Sequence, residues 1–171
     1  MPYSPATMTS AVPVKPRFVT VGDNPARAFG MSAAERANAL ALKAKLDPAG
    51  EASAGRSTIY ADLDWAWDPE WLVAMAATPG RVLTKNGHPV LAHVPADGDP
   101  ATVLAAMLAS GRYDGGMLEV VDADTADFSY RKLRKRDRPF VMRLDPADTD
   151  HAGYWRGASH DRRPDKRALG P

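Results

Sequence analysis

The chain has 171 residues, 44% of them apolar, a formal net charge of +1 and no cysteine. That length suits one domain with a real core rather than two. The apolar share excludes wholesale disorder, and the missing cysteine excludes disulfides, thiolate metal sites and a cysteine nucleophile.

The near-neutral total hides an asymmetry. Residues 1–130 carry 10 basic and 15 acidic side chains, a balance of −5, whereas residues 131–171 carry 12 and 6, a balance of +6. Such a break predicts a folded body followed by a cationic segment with another role. No apolar run approaches the roughly 18–20 residues that span a bilayer. The Pro-, Ser- and Thr-rich start lacks the basic and apolar blocks of a signal peptide. The expected location is therefore the cytoplasm.

In chain order, residues 1–16 read as a flexible segment and Arg17–Gly22 as a buried first strand ending in glycine. Asp23–Gly30 is turn chemistry, since Asn24 precedes Pro25. Ser32-Ala-Ala-Glu35 is a capping-box pattern that opens an Ala/Leu-rich helix to about Leu46. Ser57–Leu63 reads as a second strand. Asp68-Pro69 then opens a helix to about Thr78, with Asp as cap and Pro at the first helical position. Asn86-Gly87 between Arg81–Lys85 and His88–Val94 predicts a type I′ hairpin. Asp99-Pro100 repeats the cap signature for a helix to about Ser110, with Gly111 as its stop. Met117–Val121 and Pro139–Leu144 are short strand candidates, and periodicity is lost beyond Asp145. This alternation is the grammar of an α/β layered sheet.

Four segments could carry chemistry. Val21–Gly30 follows a strand and precedes a helix, where phosphates bind in open α/β sheets. Gly22, Asp23, Asn24 and Arg27 are its candidate nucleotide contacts, although no G-x-G-x-x-G or Walker pattern is present and a plain connecting turn is the other reading. Asp62 and Asp64 stand at the exit of the second strand, where alternation would point both to one face and could hold a divalent cation against phosphates. Alternatively they are solvated turn residues. Trp65, Trp67 and Trp71 could stack on a base or belong to the core. His88, His93, His151 and His160 have no metal-motif spacing, and no G-x-S-x-G elbow occurs. Arg131–Arg138, six basic residues in eight, is a solvated face or a contact for anionic membrane or phosphate. Without interleaved aromatics, nucleic acid is not the expected partner.

Taken together, these segments resemble a known family. Val21–Pro25 with Phe29–Arg36 is similar to the "GDNP…WGLS–ER" opening of an N-terminal domain found on some bacterial CDP-alcohol phosphatidyltransferases. Asp64–Pro69 resembles its "ADHVFDP" segment, Thr78–Thr84 and Pro89–Val94 its "PGTVL…PVAAHV" pair, and Leu133–Pro139 its closing "LRKREPP". The resemblance covers roughly residues 17–146 and implies a three-layer, nucleotidyltransferase-like (Rossmann-like) mixed sheet with flanking helices, incomplete or degenerate, followed by an irregular basic tail over 147–171. It implies phospholipid biosynthesis as the setting, with a membrane-embedded transferase domain as partner or an anionic membrane surface met through Arg131–Arg138 at its inner face.

In active cytidylyltransferase relatives a Gly-rich loop grips CTP, and an aspartate matching Asp64 helps bind Mg²⁺. Here that loop is not Gly-rich, and the transferase signature D-x-x-D-G-x-x-A-R is not found in the sequence. The expected role is thus a domain non-catalytic by itself. The alternatives are a CTP- and Mg²⁺-dependent nucleotidyltransferase acting on a phosphorylated polyol, and a basic-tailed adaptor. Codons from Asp161 to Gly170 read one base later permit Thr-Asp-Val-Leu-Thr-(Asn/Ser)-x-Leu-Trp, similar to the family's continuation, so a frameshifted, truncated tail is a further expectation.

Overall fold

The computed structural model describes residues 15–28, 30–48, 55–126 and 139–144. The basic run 131–138, the tail after Leu144, His151 and His160 lie outside them. Among the described residues there are nine strands and three helices: β1 (Arg17–Val21), β2 (Arg27–Ala28), β3 (Met31–Ser32), α1 (Ala33–Lys43), β4 (Thr58–Asp62), β5 (Trp65–Trp67), α2 (Pro69–Ala77), β6 (Arg81–Lys85), β7 (His88–Val94), α3 (Ala101–Leu108), β8 (Glu119–Asp122) and β9 (Val141–Arg143).

Local chemistry sets the helix starts. Ser32 accepts from the Glu35 N–H while the Glu35 carboxylate accepts from the Ser32 N–H, so the capping box closes and α1 begins where its donors are satisfied. The helix stops at Lys43, earlier than the apolar pattern suggests, because Lys45 takes a φ of 66° and turns Leu46 into the core. Asp68 caps α2 through the Glu70 N–H with Pro69 at the first helical position. At α3 the cap sits one residue off: Asp99 accepts from the Ala101 N–H, but Pro100 is already helical in φ and ψ and occupies the cap position.

The five-stranded sheet runs β1-β4-β7-β6-β8. β1 is parallel to β4 and β6 to β8, while β7 is antiparallel to both of its neighbours. The hairpin β6–β7 turns on Asn86 (φ 54°) and Gly87 (φ 86°), the two positive angles a type I′ turn requires. This is a mixed α/β fold with helices on both sheet faces.

Alternation sends Phe18, Ile59, Ala61, Leu83 and Leu91 to one face, under α1, α2 and the β5–β9 ladder. Val21, Val82, Ala92 and Val94 go to the other, under Val103 and Met107 of α3. One break in the alternation has a visible cause. Leu83 lies opposite Leu91 but Thr84 opposite Pro89, so Val90 is the extra residue of a bulge, and both Val90 and Leu91 join the larger cluster. The bulge also places Pro89, which has no N–H, beyond the β4 ladder that ends at Leu91.

Two features depart from the sequence reading. Within the expected turn Asp23–Gly30, Arg27–Ala28 forms β2 and pairs with Met31–Ser32. Trp65–Trp67 is a strand, paired antiparallel with Val141–Arg143. All three tryptophans that were candidates for base stacking are buried, and the Trp71 Nε1–H donates to the Pro139 carbonyl at 3.1 Å. Their large apolar area and a satisfied indole donor make them core.

Trp71→Ala is expected to destabilise the protein by about 3–5 kcal/mol, through the cavity it leaves and an orphaned Pro139 carbonyl. Urea denaturation followed by far-UV circular dichroism measures this.

Candidate functional site

The carboxyl ends of β1, β4, β6 and β8 lie along one sheet edge, where α/β sheets bind ligands. The start of the antiparallel β7 lies there too. Gly22 (φ 83°) turns the chain out of β1, and the Leu63 N–H donates to the Val21 carbonyl at 3.0 Å, holding the exits of β1 and β4 together.

Among the candidate nucleotide contacts, Gly22, Asp23 and Arg27 are exposed, whereas Asn24 is buried. Asn24 Oδ1 accepts from the Ala26 N–H at 2.8 Å, closing an Asx turn, and its Nδ2 donates to Asp64 Oδ1 at 3.1 Å. The Arg27 guanidinium donates to the Gly30 carbonyl, back onto its own loop. Asn24 and Arg27 thus spend side-chain donors within the protein, on Asp64 and on the Gly30 carbonyl.

Asp62 and Asp64 do meet, but not by strand alternation. The chain leaves the ladder at Asp62, and Asp62 Oδ1 accepts from the Asp64 N–H at 2.9 Å, so a turn brings the two together. Asp62 is buried and Asp64 half-buried. Burial pushes the Asp62 carboxyl up to about 6 from its ordinary 3.8, and the Asp64 charge adds to the rise; the Asp64 N–H bond, Arg143 and His88 offset part of it.

Two residues, Arg143 and His88, join this site from distant parts of the sequence. The Arg143 guanidinium on β9 lies 3.9 Å from Asp64 Oδ2 and 5.6 Å over the Trp65 ring. His88 packs its ring against the other partner of that stack, Trp65, with centroids 6.2 Å apart. Its Nδ1 is 2.8 Å from the Gly111 carbonyl; since a carbonyl only accepts, Nδ1 carries the proton. Arg143 reaches the site because the Leu144 N–H donates to the Asp64 carbonyl at 2.7 Å, pinning β9 beside β5.

A magnesium ion held against nucleotide phosphates needs only one or two protein carboxylates. These two do not fit that task as placed. One oxygen of Asp62 is committed to the Asp64 amide and its carboxyl is buried with a raised pKa, while Asp64 is held by Asn24 and faces the Arg143 charge. Among the described residues no three His, Asp or Glu side chains converge on a metal position.

His93 has a different role. It is buried in β7, with Nδ1 2.7 Å from the Met75 carbonyl and Nε2 2.8 Å from Ser57 Oγ. The carbonyl fixes the proton on Nδ1, so the Ser57 hydroxyl donates to Nε2 and both ring nitrogens are satisfied. Burial lowers its pKa, which keeps it neutral and suits a core histidine tying α2 to β4.

No family model, curated protein or solved structure matches the chain. Among the described residues no helix is long and apolar enough to cross a membrane.

The two buried titrating groups give opposite pH signatures. Asp62 holds its proton in the fold up to about pH 6, whereas the unfolded chain releases it near 3.8, so stability falls as pH rises through that window. His93 stays neutral in the fold and charges first in the unfolded chain, so its contribution is present above about pH 6.5 and is lost as pH falls below. Asp62→Asn, which keeps an acceptor for the Asp64 amide, is expected to raise stability by about 2 kcal/mol at pH 7.5 and to change it little at pH 4. Urea unfolding at the two pH values checks this; equal effects at both would refute the raised pKa.

Proposed function

We propose that the chain is an N-terminal, nucleotidyltransferase-like domain of the kind attached to CDP-alcohol phosphatidyltransferases, serving as a non-catalytic accessory to a membrane-embedded transferase domain in phospholipid biosynthesis. The family reading rests on the ordered segments from Val21–Pro25 to Leu133–Pro139. A mixed sheet with helices on both faces, and with acidic residues at its carboxyl edge, is compatible with a nucleotidyltransferase ancestry.

One observation carries the non-catalytic part. Asn24, at the loop position where a phosphate cradle would present free donors, spends both ends of its amide inside the protein, on Ala26 and Asp64. Preorganised donors aimed at the ligand are what phosphate binding and transfer require. Here the donor, the acidic residue and the Arg143 cation neutralise one another.

Thermal shift with CTP and Mg²⁺ tests this directly. A site filled at 100 times its Kd stabilises by about 2.7 kcal/mol, a rise of several degrees for a domain of this size. No rise at millimolar CTP with Mg²⁺ is the expected result. A clear rise would replace the proposal with that of a CTP-dependent nucleotidyltransferase acting on a phosphorylated polyol. Downstream DNA tests the family part: the shifted frame should encode the TDxxT…LW continuation, then membrane helices bearing D-x-x-D-G-x-x-A-R.

A further inference from the structure

The opposite edge of the sheet, where β6 begins and β7 ends, has a concavity that the nucleotide reading does not use. Gly80 precedes β6, Val94 closes β7, and the loops 95–100 and 113–118 rise beside them to line a partly open cavity of about 380 Å³. Known ligand pockets span about 300–1,000 Å³, so this one admits only a small molecule.

Its walls are built rather than accidental. The Tyr113 hydroxyl accepts from the Leu118 N–H at 2.9 Å and clamps the 113–118 loop across its own ring. That clamp needs glycine at 116, because a Cβ there would lie 1.9 Å from the Tyr113 oxygen. The floor is apolar, with Val94 and Val103 buried and Leu118 half-buried. At the mouth stand the carboxylates of Asp97 and Asp99, both exposed, and no lining residue carries a positive charge. Met117, 98% exposed, forms part of the rim.

An apolar floor, an aromatic wall and two exposed carboxylates with no cationic side chain in the lining, Asp99 also accepting from the Ala101 N–H, select one ligand chemistry. We infer that this cavity binds a small organic ammonium ion: a short aliphatic body against Val94, Val103 and Leu118, and a cationic nitrogen between the carboxylates and the Tyr113 ring. Phosphates and carboxylates are repelled by the same two aspartates. The site is independent of the nucleotide edge, which lies at the other end of the strands.

Titration of the full chain with n-butylammonium, n-butanol and butyrate, followed by amide resonances in ¹H–¹⁵N spectra, tests this. Millimolar butylammonium should shift the amides of Gly98, Thr102, Gly115 and Gly116. Butanol should bind about fivefold more weakly or worse, and butyrate should leave the spectrum unchanged. Asp97→Asn with Asp99→Asn should weaken butylammonium by about fivefold; asparagine at 99 still accepts from the Ala101 amide, so α3 keeps its start. Thr102→Trp, filling the cavity from the helix side, should abolish the shifts while leaving the melting temperature intact. Equal binding of butanol, shifts that survive the double asparagine variant, or no shifts at 50-fold above millimolar protein would each overturn the assignment.

Discussion

β7 lies at the centre of the sheet between β4 and β6, and all its residues after His88 are buried. A strand paired on both sides and covered on both faces cannot be satisfied by one layer, so its neighbours must supply two. On one face that demand draws in α1, α2 and the β5–β9 ladder; on the other it is met by the eight residues of α3. The inequality is built into the strand. Its bulge at Val90 directs an extra apolar side chain to the first face, where Trp71, Trp67 and Phe18 already lie. His93 is the one titratable group sealed into β7's interior, and its two nitrogens bond to α2 and the entry of β4. A buried polar group is tolerable on those terms.

The same demand accounts for the carboxyl edge. Covering the large face requires the segment 139–144 to return beside β5, and that return brings Arg143 over Trp65 and near Asp64. Asn24 then bridges the exit of β1 to the exit of β4. Separate stretches of the chain meet at this edge, and Asn24, Asp62, Asp64 and Arg143 lie against one another there. In open α/β sheets this edge commonly stays open for a ligand; here Asn24, Asp62 and Asp64 are bonded to one another or to nearby backbone amides.

The elements governed by neighbours in sequence were legible. The Ser32–Glu35 box, the Asp68-Pro69 cap and the Asn86-Gly87 turn each depend on contacts within four residues, and each formed at its expected place. What depends on distant partners was not legible. Trp65-Ala66-Trp67 becomes a strand only because Val141–Arg143 lies beside it, and nothing in either segment names the other. Of the candidate site residues, Asp62 and Asp64 do meet, but through a turn rather than by strand alternation, because the ladder ends at Asp62. Arg143 carries no local mark at all, and the inward turn of Asn24 requires Asp64, forty residues away.

The two ends of the sheet therefore differ in how their carboxylates are treated. At the carboxyl edge Asp62 and Asp64 are held by an amide or lie near a guanidinium, and burial has raised the pKa of Asp62. At the opposite edge Asp97 and Asp99, the latter also accepting from the Ala101 N–H, line a cavity with no cationic side chain in its lining and with aliphatic side chains beside them. A surface carboxylate alone is well served by water and implies nothing. Placed beside an apolar floor, though, it sets the sign of whatever molecule gains by entering, because burying the aliphatic part is favourable only when the charged part is matched. Shape gives the cavity its size limit and charge gives it its sign; neither alone would restrict the ligand to a small organic cation.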